Sequence, residues 1–96
     1  MFGTVGRLKV KPGKLDELAA AMAEGQARDI DGSIAYYVYK VEGKENELIL
    51  AVVFRDKDSY MKNADDPAQD EAYRKMVDLL EGPPTWEDGE IIASGK

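Results

Sequence analysis

Ninety-six residues make one domain with a modest core, because a chain of this length buries only about two thirds of its unfolded surface. Cysteine and histidine are both absent, which excludes disulfides, thiolate and imidazole chemistry, zinc-thiolate sites and the commonest protein ligand of haem iron. A net charge of -6, spread along the chain, repels polyanions, so no nucleic-acid partner is expected.

The first segment, Phe2 to Lys11, reads as a strand on its Thr4, Val5, Leu8 and Val10, and "KPG" breaks it. From Lys14 to about Asp29 the apolar positions Leu15, Leu18, Ala19, Met22 and Ala23 recur at helical spacing, with Gly25 weakening the later half and "DIDGS" ending it. "IAYYVYKV" and "LILAVVFR", joined by the polar "EGKENE", predict an antiparallel hairpin. Asp56 suits the N-cap of a short helix to about Asn63. In "DPAQ", Asp66 caps a second helix, Pro67 takes its first position and Gln69 stands where a capping-box side chain reaches back. That helix carries Ala72, Tyr73, Met76, Val77 and Leu80 on one face and stops at Gly82, Pro83 and Pro84; the extended "TWEDGEIIAS" closes the chain. The order β-α-β-β-α-β, with its second helix broken, predicts an α+β, ferredoxin-like domain with a four-stranded antiparallel sheet and helices on one face. The N-terminus has no apolar core of signal-peptide length, and no run approaches the roughly 20 apolar residues of a membrane span, so a cytoplasmic protein without membrane partners is expected.

In such a domain one sheet face meets water, and a central strand should alternate apolar with polar residues. Leu48 to Phe54 is instead apolar throughout: Leu48, Leu50, Val52 and Phe54 fill one face, and Ile49, Ala51 and Val53 the other. In the preceding strand Ile34, Tyr36 and Val38 share one face, and Ala35, Tyr37, Tyr39 and Val41 the other. Two exposed apolar rows exceed what a monomer ordinarily tolerates, so a two-fold homodimer packing sheet face on sheet face is expected.

The motifs "KVKPGK", "DGSIAYYVYK", "LILAVVFRDKDSYMKNADDP" and "LLEGPP" resemble the antibiotic biosynthesis monooxygenase-like family of dimeric α+β barrel proteins, from about Thr4 to Ile92. The resemblance implies a dimeric barrel with outer helices and a ligand cavity in each subunit between sheet and helices. It also implies, for the quinone-forming members, oxidation of polycyclic phenols by molecular oxygen without metal, flavin or other cofactor. Those members use an Asn and a Trp on the third strand and an aromatic on the next helix; the matching positions here hold Leu50, Phe54 and Tyr60. The haem-degrading members use Asn, Trp and His, and the matching positions hold Gly6, Phe54 and Tyr73, so that branch finds no histidine to work with.

A pocket on this pattern is expected to be lined by Gly6, Leu8, Leu50, Val52 and Phe54 from the sheet, binding a small apolar or aromatic ligand. Tyr60, Asn63 and Tyr73 supply its polar groups. Tyr73 also fits ordinary core beside Met76 and Leu80, and Asn63 also fits a helix end. Trp86 fits either an anchor against the partner subunit or core. Asp65, Asp66, Asp70 and Glu71 read as capping and helix-dipole residues rather than a metal site, although an inward-facing Asp70 would offer a base. Two functions fit these residues: a cofactor-independent monooxygenase acting on a phenol or hydroquinone, and a small-molecule-binding dimer without chemistry.

Overall fold

The computed structural model describes residues 1–26 and 29–95. The chain runs β1 (Phe2–Lys9), α1 (Leu15–Gln26), β2 (Ser33–Lys40), β3 (Glu47–Phe54), α2 (Lys57–Ala64), α3 (Pro67–Val77) and β4 (Thr85–Glu90). The strands form one antiparallel sheet in the order β2-β3-β1-β4. This is the expected ferredoxin-like α+β architecture, with the second helical region divided.

Local chemistry sets the boundaries. The Asp56 carboxylate accepts the Ser59 N–H at 2.8 Å and opens α2; the Asp66 carboxylate accepts the Ala68 N–H at 2.8 Å and opens α3, with Pro67 behind it. Between β2 and β3 the chain turns through Gly43 at φ +82°, and the Val41 N–H donates to the Glu47 carbonyl at 3.0 Å. Helix α3 ends at Val77, short of the Leu80 that its apolar spacing reaches. There the backbone instead meets the end of β1, where the Lys11 N–H donates to the Leu79 carbonyl at 2.9 Å and the Glu81 N–H to the Lys9 carbonyl at 2.8 Å. Strand β4 likewise ends at Glu90 rather than Ser94, although the Ile91 N–H still donates to the Met1 carbonyl at 2.8 Å. The expected end of the first helix near Asp29 runs through residues 27 and 28, outside the described residues. Among the described residues, no helix is long and apolar enough to cross a membrane.

Leu8, Val10, Leu18, Leu48, Leu50, Met76 and Leu80 form the core between sheet and helices. Helix α1 contributes Leu15, Leu18 and Met22, as its spacing predicts, but Ala19 and Ala23 are exposed; the buried stripe turns toward Ala21 and Gly25 instead. The stripe shifts because α1 packs on α3 as well as on the sheet, and Gly25 faces Ala72 there. A Cβ added at Gly25 would meet that of Ala72 at 3.6 Å, an ordinary contact. Gly25→Ala is therefore expected to stabilise the domain by about 0.5–1 kcal/mol, through helix propensity and a less free unfolded chain. A higher urea midpoint at unchanged slope would show it.

Both faces of β3 have the character read from its sequence. Leu48, Leu50 and Phe54 are buried beneath the helices, while Ile49, Ala51 and Val53 point to the open side. Their cross-strand neighbours there include Val5, Tyr37 and Tyr39, which are 49%, 58% and 53% exposed. Arg7 and Glu87 border this apolar face on β1 and β4.

Candidate functional site

Antiparallel register lays side chains of one face in rows across the sheet. Side chains from two such rows, with only Leu50 and Trp86 contributed by the second, floor a cavity of about 370 Å³ under the helices. One row runs Tyr36, Val52, Thr4 and Asp88 from β2 to β4; the next runs Val38, Leu50, Gly6 and Trp86. Tyr36 thus settles which face of β2 looks inward. Helices α2 and α3 close the other side with Tyr60, Asn63, Gln69, Tyr73 and Met76, and α1 adds Met22 and Gly25. The volume suits a small aromatic molecule, and a mostly apolar lining with a few polar groups is the usual composition of such sites.

Tyr60 is the best-defined polar group. Its ring is held between Phe2, 5.2 Å away centre to centre, and Phe54, 5.6 Å away and nearly edge-on at 77°. Its hydroxyl donates to Asp88 Oδ1 at 3.1 Å. Partial burial pushes the Tyr60 hydroxyl above its ordinary pKa, and the negative charge of Asp88 and the bond it accepts add to the rise; the Thr4 hydroxyl acts in the opposite sense. Tyr60 therefore remains a neutral phenol across physiological pH. Thr4, buried below it, donates to the Glu87 carbonyl at 3.2 Å and so ties the Tyr60 end of the cavity to β4.

The residues singled out in the sequence divide. Tyr60, Asn63, Tyr73, Leu50, Val52 and Phe54 all border the cavity. Gly6 and Leu8 do not. The six-membered ring of Trp86 lies directly over Gly6, so closely that a Cβ there would overlap it, and Leu8 is fully buried in the core. Trp86 takes the wall position instead of Gly6, with its ring 6.4 Å from that of Tyr73. It faces inward, away from the open side of the sheet, and packs against the core. Asn63 lines the cavity and also ends its helix, since its carbonyl accepts the Asp66 N–H at 3.0 Å.

Asp88, Thr4 and Trp86 are the residues that sequence reasoning missed as site groups. A signal was available: in "TWEDGE" strand alternation puts Asp88 on whichever face holds Trp86. Asp70 also borders the cavity, but its carboxylate pairs with Arg74 at 3.1 Å. Asp66 and Asp65 cap helices. Among the described residues no group of three or more acidic, histidine or cysteine side chains converges to hold a metal ion.

The family model for antibiotic biosynthesis monooxygenases matches residues 1–75. The chain belongs to the antibiotic biosynthesis monooxygenase family. No curated protein sequence matches it. Among solved structures, a variant of SnoaB, a cofactor-independent oxygenase from Streptomyces nogalater, is similar with a TM-score of 0.86 and 15% identity, over 97% of this chain and 94% of that one. A Caulobacter crescentus protein proposed to be an antibiotic biosynthesis monooxygenase has a TM-score of 0.85 and 19% identity, over 96% and 90%. Rv0793 from Mycobacterium tuberculosis has 0.82 and 18%, over 99% and 98%. At these identities the likeness is one of fold. The antibiotic biosynthesis monooxygenase match takes in β1, β3, α2 and most of α3, hence Tyr60 and Asn63, and ends before β4 with Trp86 and Asp88.

Proposed function

We propose that the protein is a cofactor-independent monooxygenase that oxidises a small aromatic phenol or hydroquinone with molecular oxygen, working as a two-fold dimer joined through its outer sheet faces. The observation that carries this reading is the Tyr60 hydroxyl, held by two aromatic rings at the edge of an apolar cavity large enough for a fused-ring phenol. Membership of the monooxygenase family supports the reaction class.

With a phenol whose para carbon is unsubstituted, that carbon loses its hydrogen and gains one oxygen atom. The ring is oxidised to a quinone, and the second oxygen atom leaves as water with the ring hydrogen and the hydroxyl hydrogen. Tyr60 bonds the substrate oxygen, Asn63 and Tyr73 fix the ring plane, and Leu50, Val52 and Phe54 limit the water around the reactive intermediate. The dimer rests on the apolar outer face, whose half-exposed Val5, Tyr37 and Tyr39 form a patch of the kind that marks a protein contact.

Oxygen uptake with anthrone, which supplies the phenolic anthrol tautomer, tests the assignment. Tyr60→Phe is expected to lower kcat/KM by roughly 10²–10³, the usual contribution of one positioned proton-transfer or oxyanion-stabilising group. Unchanged uptake would remove Tyr60 from the chemistry. Leu50 and Phe54, where quinone-forming relatives are expected to carry Asn and Trp, favour a second reading as a small-molecule binder. Saturable binding of anthrone without oxygen uptake would select it.

A further inference from the structure

We infer that Asp88 is the proton acceptor of this site, reached from the substrate through the Tyr60 hydroxyl. The inference rests on the proposed oxidation of a phenol, which needs a base, and the chain has no histidine to provide one. The titratable side chains bordering the cavity are Tyr36 on β2, Tyr60 on α2, Asp70 and Tyr73 on α3 and Asp88 on β4.

The tyrosines are phenols themselves and gain little by taking a proton from another phenol. Tyr60 in particular is held neutral by its surroundings. Of the two carboxylates, Asp70 already pairs with Arg74 along α3 at 3.1 Å. Asp88 accepts the Tyr60 hydroxyl at 3.1 Å, and among the described residues no other donor reaches its carboxylate.

The proton path follows from this geometry. The substrate O–H bond breaks and its proton passes to the Tyr60 oxygen, while the Tyr60 O–H proton passes to Asp88 Oδ1. The substrate keeps the electron pair as a phenolate, and nothing is oxidised until oxygen reacts. Asp88 is exposed on the edge strand whereas Tyr60 is half-buried. The outer end of the relay can therefore release its proton to water without opening the cavity.

Asp88→Asn tests the inference, because the amide oxygen still accepts the Tyr60 hydrogen bond and holds the ring while the base is lost. With anthrone and oxygen, the wild type is expected to lose kcat/KM toward low pH as a carboxylate protonates. Asp88→Asn should lower kcat by roughly 10²–10⁴ and abolish that acid limb, and Asp88→Glu should restore both in part. An Asp88→Asn enzyme that keeps its rate and its acid limb overturns the assignment.

A readout independent of turnover separates this inference from the proposed reaction. 4-Nitrophenol, whose phenolate is coloured, is expected to titrate at higher pH when bound to the wild type than when bound to Asp88→Asn, because the carboxylate opposes a second negative charge nearby. If wild type fails to consume oxygen with anthrone but shows this difference, the reaction is misassigned and the relay stands. Identical titration in the two proteins, or no binding, overturns the relay.

Discussion

Gly32→Ala is expected to lower stability by roughly 2–5 kcal/mol, a large part of the ~5–15 kcal/mol that holds a domain of this kind together. Two costs combine. Gly32 has φ +80°, a left-handed conformation that costs a side-chain-bearing residue about 1–2 kcal/mol. Its added Cβ would also overlap the side chain of Ser59, adding an overpacking cost of about 1–3 kcal/mol. Ser59 cannot step aside cheaply. It is buried, its N–H donates to the Asp56 cap at 2.8 Å, and its hydroxyl accepts from Arg55 Nη2 at 2.9 Å. Gly32 is itself fastened to this corner, its carbonyl accepting the Arg55 N–H at 2.7 Å. The right control is Gly43→Ala, at φ +82° with open space around it, where only the first cost applies. Urea unfolding of the two variants separates the effects, and equal losses would show that the Ser59 contact is slack. Tyr60 follows Ser59 directly, so Gly32→Ala should also disturb the cavity.

Ala51→Asp is expected to abolish dimer formation while leaving each chain folded. Ala51 lies mid-strand on the open face of β3, between Val5 and Tyr37 in register. A face-to-face dimer would bury it, and a two-fold axis brings two new carboxylates into one apolar layer. An unpaired buried charge costs several kcal/mol, and about 4 kcal/mol already raises a dissociation constant about a thousandfold. The short aspartate side chain cannot reach out to water. Sedimentation should show a dimer for the wild type and a monomer for Ala51→Asp, with far-UV circular dichroism unchanged. A variant that stays dimeric at the same concentration would place the subunit contact elsewhere.

The fold was legible because several signals agreed. The hairpin, the capping residues Asp56 and Asp66 with Pro67, and the unbroken apolar run of β3 pointed to one topology, and such agreement is what specifies a fold. The stripe of α1 departs from its spacing where alanines stand in for large residues, because Ala19 and Ala23 carry too little apolar surface to decide which way a helix turns.

The site was legible in the stretch that the resemblance covered closely, where Phe54, Tyr60 and Asn63 lie within ten residues of one another. Gly6 and Leu8 were misplaced for a packing reason. Alternation correctly put them on the inner face, but the sequence does not reveal that a tryptophan from a strand nearly eighty residues away covers that glycine. Asp88 carries no signal of its own in the sequence, because one carboxylate in an acidic edge strand looks like solvated surface until the register places it opposite Thr4.

Strand β4 forms its ladder with β1 alone, and it supplies Trp86 and Asp88 to the cavity. The labour of the molecule is thus divided: the inner strands β1 and β3 carry the cohesion, and an outer strand supplies a wall and a carboxylate to the cavity. Exchanging side chains at 86 and 88 leaves the backbone hydrogen bonds of the other three strands in place. A library varied at those two positions therefore reshapes the lining of the cavity while the pairing of the sheet stays as it is.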